Sequence, residues 1–176
     1  MIFKFKRRTL IGAGLSAAFA GSLVSLPRWI RNSPWRFFTP EEARTAEAIC
    51  AQLIPTDRDP GAKEAGVVVF IDLQLTRHLR KYQGIYRQGL AAVHAAARTQ
   101  FGCPFADLSS ERQVEILTAA EQNSKAFFDL ILAHCRQGFY GDPRHGGNRG
   151  LVSWKMLRLP FPQVRGRMHY EEPKQG

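Results

Sequence analysis

The chain has 176 residues, 44% of them hydrophobic, and carries 25 Lys and Arg against 15 Asp and Glu for a formal charge of +10. That length suits one domain with a real core and is short for two. Its basic residues are scattered through Arg77, Arg80, Lys81, Arg87, Arg98, Arg112 and Arg136 instead of forming a stripe interleaved with aromatics, which argues against nucleic-acid binding. What remains is a solvated positive surface, or a face for an acidic partner or anionic lipid head groups.

The first element is an address. Lys4, Lys6, Arg7 and Arg8 precede an uncharged stretch from Thr9 to Leu26, with Ala18-Phe19-Ala20 standing before Gly21. A basic head, an apolar middle and small residues before a cleavage point are the layout of a removable targeting segment. The Arg7-Arg8 pair within Phe5-Lys6-Arg7-Arg8-Thr9-Leu10-Ile11 marks a twin-arginine export signal over residues 1–26. The competing reading is an uncleaved anchor, with Pro27, Arg28 and Trp29 at the membrane edge. A span needs about 20 predominantly apolar residues, and this stretch, rich in Gly, Ala and Ser, makes a weak one. Without its signal the chain keeps 21 basic and 15 acidic residues, a balance of +6. A periplasmic location follows, and export also argues against nucleic acid as a partner.

Residues 27–38 are rich in Pro, Arg and Trp without periodicity and read as a tether. Helical punctuation begins at Thr39, which with Glu42 makes a capping-box pattern around Pro40. Ala43, Ala46, Cys50 and Leu53 then share one face until Pro55. Thr56-Asp57-Arg58-Asp59-Pro60-Gly61 is a turn cluster; with two carboxylates and no glutamate at the proper offset it does not suit calcium. The β-branched run Val67-Val68-Val69-Phe70-Ile71 suits a strand, yet Val67, Ile71 and Leu75 recur at steps of four with no hairpin turn nearby, so a helix is expected between Lys63 and Lys81. Tyr86, Leu90, Val93 and Ala97 predict another from Ile85 to Thr99, stopped by Gly102 and Pro104. A fourth, with Val114, Leu117 and Ala120, starts at Ser109 or Ser110, where Gln113 is placed to close a capping box on Ser110. The fifth runs from Ser124 to Gln137 with Phe128, Ile131 and Cys135 on one face beside Phe127, Leu130 and His134, and Gly138 is its expected C-cap. The result is an all-α fold: a single small helical domain of about five helices over residues 39–162, with a Gly-rich C-terminal loop and a polar tail over 163–176.

Cys50, Cys103 and Cys135 are too far apart for a Cys-x-x-Cys zinc clip or a Cys-x-x-Cys-His haem site. In an oxidising compartment one disulfide is allowed, and spacing does not say which pair forms it. The run Gly138-Phe139-Tyr140-Gly141-Asp142-Pro143-Arg144-His145-Gly146-Gly147-Asn148-Arg149-Gly150 holds five glycines among thirteen residues, so its backbone visits positive φ or closely approaches other chain. It reads as a rigid folded loop, or as a docking loop facing another protein.

These residues carry a resemblance. Leu53-Ile54-Pro55, Pro60-Gly61-Ala62, Ala65-Gly66-Val67, Gly89-Leu90, Phe101-Gly102, Pro104-Phe105, Leu108-Ser109, Phe127-Phe128, and above all Gly138-Phe139-Tyr140-Gly141-Asp142-Pro143 with His145-Gly146-Gly147-Asn148 and Trp154-Lys155 are similar to the gluconate 2-dehydrogenase subunit 3 family over residues 37–162. The resemblance implies a non-catalytic small subunit of a periplasmic flavin-dependent sugar-acid or alcohol dehydrogenase. It implies FAD on a partner large subunit, haem c on a partner multihaem cytochrome c subunit, and escort of the large subunit through the twin-arginine translocase. It also implies association with the cytoplasmic membrane through the complex, the alternative being an uncleaved signal. No cofactor is expected on this chain: its Gly12-Ala13-Gly14 lies inside the signal, not between a strand and a helix.

No catalytic, cofactor-binding or metal-binding residue is therefore expected here. Phe139, Tyr140, Asp142, His145, Asn148 and Trp154 are the candidate partner interface, with Phe161 adding aromatic area, because aromatics concentrate at interface hot spots. For Trp154 the alternative is plain core burial. Two rival functions are a self-sufficient exported enzyme using Asp142 and His145 as an acid–base pair, with His134 joining them, and an independent envelope protein. His78 and His94 read as ordinary helix-surface residues.

Overall fold

The computed structural model describes residues 33–159. The twin-arginine signal, the first part of the tether, Phe161 and the polar tail lie outside the described residues. Among those described there are six α-helices and no strand: α1 Pro40–Leu53, α2 Val67–Leu75, α3 Gln83–Phe101, α4 Ser110–Asn123, α5 Lys125–Tyr140 and α6 Val152–Met156. The all-α expectation stands, with a short α6 added after the Gly-rich run.

The first helix forms as its sequence signals require. Thr39 accepts from the Glu42 N–H at 3.2 Å while the Glu42 carboxylate accepts from the Thr39 N–H at 2.8 Å, closing the capping box around Pro40. Ala43, Ala46, Ile49 and Cys50 face the core, and Leu53 packs at its margin. In the following turn, Asp57 accepts from the Asp59 N–H and Glu64 from the Gly61 N–H, so local side chains supply the backbone bonds.

The second helix is shorter than the stretch from Lys63 to Lys81. Gly66 stands at φ 65°, a left-handed conformation that no right-handed helix contains, so α2 starts after it. At the other end the chain tightens into a 3₁₀ turn at Arg80–Tyr82. Within α2 the four-residue step holds, since Val67, Ile71 and Leu75 are all fully buried. In α3, Tyr86, Leu90, Val93 and Ala97 are buried as the periodicity requires, and Gly102 ends the helix in a left-handed cap. Gly89 matters for a different reason: a methyl there would run into the Phe127 ring, so its bare backbone lets α3 close on α5.

Two expectations fail in α4. The N-cap is Ser109, and Gln113 closes no capping box; it turns inward and donates from Nε2 to the carbonyls of Phe105 and Leu108 at 3.0 and 3.2 Å. Satisfying two buried carbonyls outweighs a cap that water can replace. Val114 is 49% exposed, and Ile116 takes the inward position beside Leu117.

A third correction concerns Gly138, which is not a C-cap. Helix α5 continues through it to Tyr140 and is capped by Gly141. A Cβ on Gly138 would lie 2.9 Å from the Phe70 ring and 3.2 Å from a Val67 methyl, so the glycine serves the close crossing of α5 over α2. The core lies among α1, α2, α3 and α5, with Tyr86, Phe105, Phe139, Ile49 and Ile131 as large buried side chains. Each such residue contributes about 1.5–3 kcal/mol to holding these helices together.

Candidate functional site

The loop after α5 is folded against the helices that carry it. Asn148 organises it: wholly buried and at φ 44°, it donates from Nδ2 to the Gly141 carbonyl at 3.0 Å and accepts at Oδ1 from the Ser153 N–H at 3.1 Å. Its own N–H donates to the Gly138 carbonyl at 2.8 Å, a bond that needs Gly147 because a side chain there would strike the Gly138 backbone. One asparagine thus joins the end of α5 to the start of α6. Two further bonds tie the loop to α2 and its approach: Gln74 Nε2 donates to the His145 carbonyl at 3.1 Å, and the Arg149 N–H donates to the Ala65 carbonyl at 3.0 Å.

Asp142 starts the 3₁₀ turn Pro143–His145. Its Oδ1 accepts from the Arg144 N–H at 2.9 Å, and its Oδ2 accepts from Arg144 Nε and an Arg144 terminal nitrogen at 3.0 and 2.7 Å. A carboxylate held in this fork is committed to the turn and to charge pairing, which leaves it poorly placed to orient a general base. The His145 ring is exposed. His134, the third member of the acid–base reading, is in the interior on α5, with its Nδ1 at 2.9 Å from the Tyr86 hydroxyl. The structure therefore does not bring Asp142 and His134 into one catalytic group.

The remaining candidates divide by depth. Phe139 is 1% exposed and packs edge-on against Tyr140 at a centroid distance of 4.8 Å, so its area belongs to the core. Tyr140 is 47% exposed, and Leu157 and Leu159 are each 49% exposed. Trp154 is half-buried, with its indole N–H donating to the Tyr140 carbonyl at 2.9 Å. Backbone and indole bonds place Trp154 next to Tyr140 and Leu159 next to Trp154, so exposed apolar side chains neighbour the loop, while Asn148 and Phe139 are buried.

Residues 40–160 match the family model described as gluconate 2-dehydrogenase subunit 3. The chain belongs to that family. It is accordingly a small subunit of a dehydrogenase complex, and a complex implies partner subunits. No curated protein and no solved structure matches the chain.

Among the described residues no three His, Cys, Asp or Glu side chains gather in a way that suits a metal ion, and no helix is long and apolar enough to cross a membrane. A groove of about 440 Å³ between α3 and the α4–α5 junction is lined by Ile85, Gln88, Ala92, Asn123, Lys125 and Phe127 among others. Lys125 is its one ionisable group, and it pairs with Asp129 at 3.0 Å on the same helix.

Sequence reasoning missed the buried polar residues. Asp72, 3% exposed on α2, accepts from the backbone N–H groups of Arg36, Phe37 and Phe38 at 2.8, 2.9 and 2.9 Å. The end of the tether is thereby fixed to the domain; Arg87 adds a bond to the Phe37 carbonyl and lies over the Phe37 ring. The available signal was a single carboxylate inside the apolar run from Val67 to Leu75. Burial pushes the Tyr86 hydroxyl pKa up and the His134 imidazole pKa down, so the two meet as a neutral pair whose donor is set by the imidazole tautomer. No spacing rule joins residues on two different helices.

Proposed function

We propose that this chain is the non-catalytic small subunit of a periplasmic, membrane-associated, flavin-dependent dehydrogenase that oxidises gluconate or a related polyol substrate. The observation that carries the reading is the match to the gluconate 2-dehydrogenase subunit 3 model across residues 40–160. In this reading FAD and the substrate pocket belong to a large subunit, and a multihaem cytochrome c subunit passes electrons onward. The Arg7-Arg8 signal on the small subunit takes the folded large subunit through the twin-arginine translocase. Tyr140, Trp154, Leu157 and Leu159 form the grip, because an exposed apolar surface with aromatic anchors suits a protein interface. In this reading His145 and Asp142 supply polar contacts of the same interface.

The test replaces Arg7-Arg8 with Lys-Lys and follows the flavin-linked, dye-reducing activity between cell fractions. Retention of that activity in the cytoplasm is the expected outcome, together with co-purification of a larger yellow polypeptide with the unaltered chain from membranes. Normal export of the larger subunit alongside the Lys-Lys variant overturns the escort role.

A further inference from the structure

Helices α1 and α5 each place one cysteine on the surface where they meet. Cys50 is 1% exposed and Cys135 is fully buried. The Cys135 thiol faces back along α1, with Sγ at 3.9 Å from the Cys50 carbonyl oxygen. We propose that Cys50 and Cys135 form an internal disulfide that ties α1 to α5, with Cys103 left outside the pair. A disulfide requires two cysteines on closely packed backbones, and here the Cys135 sulfur lies against the backbone of Cys50 itself. Cys103 lies half-buried in the turn after α3, on neither of the two helices.

The surroundings support the assignment. The Cys135 thiol beside it, then burial, pushes the Cys50 pKa well up, which keeps Cys50 a neutral thiol in the folded chain. The thiolate is the attacking species in thiol–disulfide exchange and must reach the oxidant, so a protonated Cys50 and a Cys135 wholly shielded from solvent resist oxidation in the folded chain. Oxidation therefore belongs to folding, or to a local opening of α1 from α5. An incoming disulfide, such as glutathione disulfide or a thiol oxidase, is attacked by one cysteine; the second displaces it, and the oxidant leaves as two thiols with both protons and both electrons. The cross-link closes a loop whose ends are 85 residues apart, a large restriction on the unfolded chain. It joins the first long helix to the helix that carries the Gly-rich loop and, because it needs an oxidising compartment, rests on the export reading.

The experiment refolds the reduced full-length chain with glutathione disulfide, blocks remaining thiols with iodoacetamide in denaturant, and maps the peptides by mass. One blocked cysteine, Cys103, and a linked Cys50–Cys135 peptide are expected, and Cys103→Ala leaves the link in place. Reduction of that link lowers Tm by on the order of 10 °C. Three blocked cysteines in the refolded chain, or a linked peptide containing Cys103, overturn the proposal. The folded reduced chain, given the same oxidant, forms the link far more slowly than the unfolded one; equal rates overturn the burial argument.

Discussion

Asn148→Ala removes the side chain that joins α5 to α6. The Ser153 N–H, in a fully buried residue, loses its acceptor, and the Gly141 carbonyl, partly accessible, loses a donor. The first loss costs about 1–3 kcal/mol because no water replaces the acceptor, and the second about 0.5–1.5 kcal/mol. Alanine at φ 44° adds up to about 1 kcal/mol, since asparagine tolerates left-handed backbone better. The expected loss is about 2–4 kcal/mol, measured as the shift of the urea midpoint of the full-length chain followed by tryptophan fluorescence. With a slope near 2 kcal/mol per molar urea, the midpoint falls by about 1–2 M. Asn148→Gly loses the same two bonds without the strained backbone, so it falls between the wild type and alanine. A loss under about 0.5 kcal/mol for Asn148→Ala refutes the view that the loop is held from within by this residue.

Asp72→Ala frees three N–H groups at Arg36, Phe37 and Phe38, and bonds to a charged acceptor are worth about 1.5–3 kcal/mol each before partial rehydration. A net loss of about 2–4 kcal/mol is expected, with faster tryptic cleavage after Arg36; an unchanged cleavage rate shows that residues 33–38 do not depend on Asp72. The pH dependence follows from His134. Burial lowers its folded pKa below the unfolded value near 6.5, so its contribution is fully present above that value and is lost as pH falls toward the folded pKa. Tm is expected to fall more steeply for the wild type than for His134→Gln as pH goes from 7.5 to 5, and parallel curves would remove the buried neutral imidazole from the explanation.

The helices themselves were legible because their signals are local. The Thr39–Glu42 box, Pro40, the four-residue steps through Val67, Ile71 and Leu75, and the face of Tyr86, Leu90, Val93 and Ala97 each depend on neighbours within about two turns of chain. The Gly138–Gly150 run was likewise visible as a shaped segment, together with the family it resembles. Tertiary structure alone decided the roles inside it. Gly138 lies within the helix where Phe70 and Val67 press on it, Gln113 turns from a cap to two buried carbonyls of the preceding turn, and Phe139 and Asn148 turn inward while Tyr140 stays at the surface. Asp72, the Tyr86–His134 pair and the Cys50–Cys135 neighbours belong to the same class, since each joins segments at least 34 residues apart. A sequence states which residues are apolar and how often they recur; which buried polar group meets which partner is settled only when separate helices pack and exclude water between them.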